Sequence, residues 1–249
     1  FLTGMCGHSF LEFAAPVAFV GTGRACGLDP WLRLVLVLDP EFRVTAVSGR
    51  WPAEFTRLAA RGDVLYCLDS RGCAVKRFSL SAADPFTKPL APDVGARGEG
   101  NGRLRNPVDL AVSPAGELLV LDAQPEAASV QVFTAEGAFV TSFGWGGAGA
   151  GALREPVAID VDLSGAVYVL DTATRKVVVF RAGRPAGSFE CADKTGKPVD
   201  LSCDASTDGV LVLDANFKQV ASFSTSGERR ARSEERRVGK ECSSRWSPY

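Results

Sequence analysis

The chain has one histidine, His8, and one methionine in 249 residues. So low a histidine count argues against a zinc site built on several imidazoles and against a Ser-His-Asp triad. Cys6 lies close to His8, but no further ligand is near the pair. An excess of charge of either sign is also missing. The 28 basic and 29 acidic residues leave a net charge of -1, so no global field gathers nucleic acid or an anionic membrane. The seven cysteines, at 6, 26, 67, 73, 191, 203 and 242, contain no C-x-x-C pair and form no dense framework. They read as small buried apolar residues. A long apolar run is absent too. FLEFAAPVAFVG (Phe10 to Gly21) carries Glu12 and Pro16 and lacks a basic flank, which fits neither a secretory signal nor a span of roughly 20 residues. It reads as a core strand, and the compartment stays open with the cytoplasm favoured.

What is present is apolar content and repetition. Hydrophobic residues make up 46% of the chain, enough for a full core. GARGEGNGRLRNP (Gly95 to Pro107) and GWGGAGAGALREP (Gly144 to Pro156) align without gaps, matching at seven of thirteen positions. After each proline come a short apolar strand, a turn, a second strand ending in Leu-Asp, a polar loop and two further strands. KPVDLSCDASTDGVLVLD repeats the pattern without the glycine-rich lead, and GDVLYCLD is an earlier member. The Leu-Asp pairs end at Asp69, Asp122, Asp171 and Asp214, the last three spaced by 49 and 43 residues. Before them, LRLVLVLDPEFRVTAVSG (Leu32 to Gly49) reads as only the last two strands of a further unit.

Strands this short, joined by turns too tight for a helix, run antiparallel. A four-stranded sheet repeated at this period buries both faces by radial stacking. The expected fold is therefore all-β, a β-propeller of four-stranded antiparallel blades. The Gly-rich lead, Leu-x-x-Pro, Leu-Asp strand end and closing phenylalanine resemble the NHL repeat over about Pro52 to Gly227. The sequence departs from that family in having Leu-Asp for Ala-Asp and in weak Asn-x-Arg signatures, approached only in DTATRKVVVF and DANFKQVASF. Because similar propellers have six blades, the resemblance implies an incomplete ring with about four to five blades present. The division expected is a partial first blade over 1–50, NHL-like blades over 51–227 and an unstructured tail over 228–249. From Arg232 the tail RSEERRVGKECSSRWSPY resembles a translated sequencing adaptor, with Ser243 the departure. It is set aside as non-native, together with the nucleic-acid arm its arginines and Trp246 would otherwise suggest.

Four candidate sites emerge. GWGGAGAG suggests a phosphate cradle, but no helix follows it, so its glycines are expected to serve turns. The Leu-Asp aspartates are expected to cap loop backbone rather than ring a metal. On the channel-lining first strands, Asp109 and Asp200 hold equivalent places with Asp160 displaced by two. Together they would suit a hard cation, as in the six-bladed lactonases, where a metal polarises a carbonyl or activates water. That enzyme is the alternative reading. A peptidyl-hydroxyglycine lyase, also NHL-like, needs more histidines than this chain has. Strand parity carries the preferred reading: the loops between units and the loops between strands two and three leave on the same face. Arg103, Arg105 and Arg154 then join Arg175, Lys176 and Lys218 in a basic cluster. The resemblance implies a non-catalytic module with no cofactor and no metal that binds a protein, or RNA less favourably, on this loop face. Neither membrane nor DNA is expected as a partner. Some relatives carry a RING-type module upstream, of which this sequence shows none.

Overall fold

The computed structural model describes residues 17–19, 23–29, 32–49, 54–146, 149–204 and 207–232. These form twenty strands and no helix, arranged in five four-stranded antiparallel sheets. Each sheet is a meander in chain order, and the fold is an all-β propeller of such blades. The first comprises β1 (Val17–Phe19), β2 (Ala25–Asp29), β3 (Leu34–Leu38) and β4 (Val44–Val47). The second comprises β5 (Phe55–Arg61), β6 (Val64–Asp69), β7 (Ala74–Ser79) and β8 (Leu90–Val94). The third comprises β9 (Pro107–Val112), β10 (Leu118–Asp122), β11 (Ser129–Phe133) and β12 (Phe139–Phe143). The fourth comprises β13 (Pro156–Val161), β14 (Val167–Asp171), β15 (Lys176–Arg181) and β16 (Arg184–Glu190). The fifth comprises β17 (Pro198–Asp204), β18 (Gly209–Asp214), β19 (Gln219–Ser224) and β20 (Arg229–Arg232).

Two of these sheets extend beyond the sequence reading. The stretch 1–50 holds four strands rather than the last two of a unit. Its second strand, ACGLD, does carry a Leu-Asp end at Asp29, but a glycine and a following proline disguise it. Within 228–249, Arg229–Arg232 pairs with β19 as an outer strand. An edge strand needs only backbone pairing, so RRAR carries no apolar period by which to find it. The rest of the adaptor-like tail, His8, Cys6 and Cys242 lie outside the described residues.

The chain divides into two compact units. One holds the described residues through 112, with 116–122 and 131–141; the other holds 113–115, 123–130 and the described residues from 142 onward. In the first unit, Cys26, Leu28, Val35 and Val37 pack against Leu65, Cys67 and Phe78. Tyr66, Leu68 and Val75 on the opposite face of the second sheet pack against Leu118, Val120 and Phe133. In the second unit, Tyr168, Leu170, Val177 and Val179 meet Val210, Val212, Ala221 and Phe223. Alternate residues of a strand point to opposite faces, so a strand covered on both faces must be apolar throughout. This is why VLYCLD, LLVLD and VYVLD lack a polar alternation. The phenylalanine near the end of the third strand in the second to fifth sheets, Phe78, Phe133, Phe180 or Phe223, is at most 1% exposed. Each such side chain contributes about 1.5–3 kcal/mol of burial.

The aspartate ending each second strand holds the loops. Asp171 is fully buried; its Oδ2 accepts the Arg154 and Glu155 backbone N–H groups, and its Oδ1 accepts from Thr174 N and Oγ1, both at 2.9 Å. Asp214 accepts from Lys197 N at 3.1 Å, Asn216 N at 3.0 Å and Phe217 N at 3.2 Å. Asp122 accepts from Arg105 N and Asn106 N, Asp69 from Gly72 N, and Asp29 from Leu32 N. Four residues after each aspartate the backbone turns left-handed, at Arg33, Cys73, Glu126, Arg175 and Lys218, with φ between 50° and 62°. A non-glycine residue pays about 1–2 kcal/mol there, and the carboxylate's hydrogen bonds offset it. Asp171→Ala is expected to lose about 2–4 kcal/mol of stability, and Asp171→Asn, which keeps an acceptor oxygen, less. Denaturant titration of the two variants measures the difference.

Candidate functional site

The lead loops that carry the arginines are folded around leucine. Leu104 and Leu153 are fully buried, and Leu104 N donates to Ala96 O as Leu153 N does to Trp145 O. Gly95 and Gly144 open these loops with φ of 76° and 78°, and a Cβ there would sit 2.6 and 3.0 Å from the leucine Cδ1. The glycines thus serve turns and close packing in both repeats. Gly147 and Ala148 lie outside the described residues.

In the first unit, Arg103 and Arg105 are exposed on the lead loop where it meets the end of β10. Gln131 secures that loop, accepting Gly102 N at 2.9 Å and donating to Arg103 O. Arg105 is ion-paired with Glu99. In the second unit, Arg154 precedes β13, Arg175 and Lys176 close the β14–β15 turn, and Lys218 closes the β18–β19 turn. All lie at the strand ends where the clamping aspartates sit, so within each unit the basic residues occupy one end. Lys176 stands opposite Glu190 in the ladder, an acid that the sequence reading had not paired with it.

Parity also brings residues to this end that the sequence reading passed over. Lys194 and Lys197 lie on the β16–β17 connection, and Trp145 and Phe217, 43% and 45% exposed, lie on the lead loop and the β18–β19 turn. They belong to the same two loop classes as the arginines, which was the available signal.

The first-strand carboxylates make ties between strands. Asp109 is buried and pairs with Arg57 of β5, Nε to Oδ1, at 3.5 Å. Register places Arg57, Asp109, Ala158 and Asp200 at equivalent positions, each next to a bulge that follows the strand's first residue. Asp160 does a related task from its displaced position in the second unit. Its Oδ2 accepts Cys203 N of β17 at 2.8 Å and Ser202 Oγ at 3.3 Å, and its Oδ1 accepts Val161 N at 2.8 Å. Asp200 caps its own strand at Leu201 N. Among the described residues no group of three or more His, Cys, Asp or Glu side chains is placed to hold a metal ion. The described cysteines are free. Burial pushes the Cys26 thiol up to about 11 and the Cys191 thiol up to about 12, so neither is an activated nucleophile.

Burial also pushes the Asp160 carboxyl above the usual carboxylate range, against the opposing pull of the Cys203, Val161 and Ser202 hydrogen bonds, with Asp200 adding to the rise. Between its unfolded and folded pKa the folded state holds more of this proton, so stability falls as pH rises through that window. Relative to Asp160→Asn, the unmodified protein is expected to gain thermal stability as pH is lowered from about 7 toward 4. Paired melts across that range, read as a difference, check the sign.

No family model and no curated protein matches the chain. Solved structures do. A streptogramin B lyase matches with a TM-score of 0.66 and 11% identity, over 88% of this chain and 68% of that one. A catalytically inactive histidine-to-alanine variant of virginiamycin B lyase from Staphylococcus aureus, with quinupristin, matches with a TM-score of 0.64 and 11% identity, over 88% and 69%. A nidogen/laminin complex matches with a TM-score of 0.70 and 13% identity, over 88% and 78%. At such identities the likeness concerns the fold alone, and the class it defines is the β-propeller.

Proposed function

We propose that the chain is a non-catalytic, NHL-type interaction module that binds a protein on its loop end. The observation carrying this reading is the division of labour among its charged residues. Exposed cations collect where inter-blade loops and β-turns meet, while the first-strand carboxylates of Asp109 and Asp160 are engaged in ties between blades. A nidogen/laminin complex among the similar structures is consistent with a propeller of this kind meeting a protein partner. Lyases share the fold too, and one similar structure is inactivated at a histidine; that likeness concerns the fold alone. RNA is the less favoured ligand, because the chain's net charge of -1 supplies no general attraction for it.

The test uses the chain as bait, with cross-links to captured protein mapped by mass spectrometry. Contacts are expected to fall in 95–106, 144–155, 172–176 and 215–218. Arg105→Glu combined with Arg154→Glu is expected to reduce capture by about tenfold, the scale of a 1.4 kcal/mol loss. Unchanged capture, with cross-links on the opposite strand ends, would remove the loop face from consideration.

A further inference from the structure

The loop-end cations are unevenly compensated: among the described residues, Arg71 and Arg105 of the first unit are ion-paired while Arg103 is not. In that unit, Arg71 pairs with Glu54, Arg105 with Glu99 and Lys76 with Asp93. In the second, Arg175, Lys194, Lys197 and Lys218 have no ion pair among the described residues. These four are also held in one continuous stretch of surface. Arg175 O accepts from Cys191 N at 3.0 Å and from its Sγ at 3.2 Å, joining the β14–β15 turn to the β16–β17 connection. Asn216 Nδ2 donates to Thr195 O at 2.8 Å, and Ala215 N to Lys197 O at 2.9 Å, joining that connection to the β18–β19 turn. Backbone bonds therefore fix the spacing of the charges while the side chains stay free to adjust.

Apolar surface accompanies the charge. Phe217 is 45% exposed between Asn216 and Lys218, and Trp145 is 43% exposed on the lead loop at the same strand ends. Large aromatics are enriched at interface cores, where they anchor a partner inside a polar rim. The acids at this end, Glu155, Asp193 and Glu190, are interspersed among the cations. A continuous phosphate backbone would lie against these acids, whereas a peptide can space its carboxylates to avoid them. Charge complementarity and exposed aromatics together select an acidic peptide that also carries apolar side chains.

Resting on the loop-face reading above, we infer that the second unit binds an extended acidic segment of a partner protein, with Arg175, Lys194, Lys197 and Lys218 meeting its carboxylates and Phe217 and Trp145 its apolar residues. About eight extended residues reach roughly 26 Å at 3.3 Å each, enough to cross several loops.

The test is fluorescence anisotropy with the full chain and three labelled probes: an eight-residue peptide alternating Asp or Glu with Leu and Phe, a neutral peptide of the same apolar residues, and an oligouridylate. Saturable binding of the acidic peptide alone is expected. Lys194→Glu, Lys197→Glu and Lys218→Glu combined should weaken it by about tenfold or more, and Phe217→Ala by about fivefold. Arg184→Glu, at the opposite strand ends of the second unit, should leave it within about twofold. Circular dichroism and melting temperature establish that each variant is folded. Binding of oligouridylate without the acidic peptide overturns the partner class and leaves the loop-face reading standing. Peptide binding that is insensitive to the lysine reversals overturns the site, while the cross-link map still judges the loop face. If no probe binds, the inference fails while the cross-link map still judges the face.

Discussion

The carboxylate at the end of each second strand, buried in four of the five sheets, is the interaction on which the rest of the structure depends. A blade offers the chain two places at that end where the backbone leaves its ladder: the tight turn into the third strand and the lead into the first. Asp171 and Asp214 each satisfy N–H groups from both places at once. One side chain therefore sets the turn, stabilises a left-handed residue four positions later and fixes the incoming strand in register. Because that left-handed position recurs in all five sheets, its strain belongs to the repeat and marks no single functional spot.

The same device governs which charges are presented. Residues in the clamped turns, such as Arg175 and Lys218, project from backbone held by buried hydrogen bonds. The position costs the protein the freedom to use its aspartates for anything else. A carboxylate that accepts three or four N–H groups has few lone pairs left for a cation. Nearer the first strands, Asp109 with Arg57 and Asp160 with Cys203 N show acidic residues used for attachment between blades. A channel reading of these aspartates counts their charge but not their partners.

Much of the fold was legible because its signals are local. Leu-Asp ends, glycine-rich leads and closing phenylalanines each report a backbone need within a few residues, and each recurs at a fixed spacing. The first sheet was half hidden because Asp29 is flanked by Gly27 and Pro30, which break the pattern around the same clamp. β20 was missed because an edge strand is defined by pairing alone. The site was legible only as parity. Sequence order places Arg103, Arg154 and Lys218 at loop ends, but it does not reveal that Arg105 is paired with Glu99 or that Asp109 is neutralised by Arg57. Those partners are distant in the chain or set by the loop's fold.

Charge balance over the whole chain conceals this local contrast. A net charge of -1 is compatible with a first unit in which Arg71 and Arg105 are paired and a second in which Lys194, Lys197 and Lys218 are exposed without an ion pair among the described residues. Surface pairs are individually weak, worth about 0–1 kcal/mol, so the pairing in the first unit matters less for stability than for what it withholds from a ligand. A carboxylate approaching Arg105 competes with Glu99; Lys194 and Lys197 have no carboxylate partner among the described residues. The energetic difference between the two approaches is small per contact but accumulates across several. A repeated scaffold whose blades share one backbone plan thereby carries different charge pairing on corresponding loops without any change in fold.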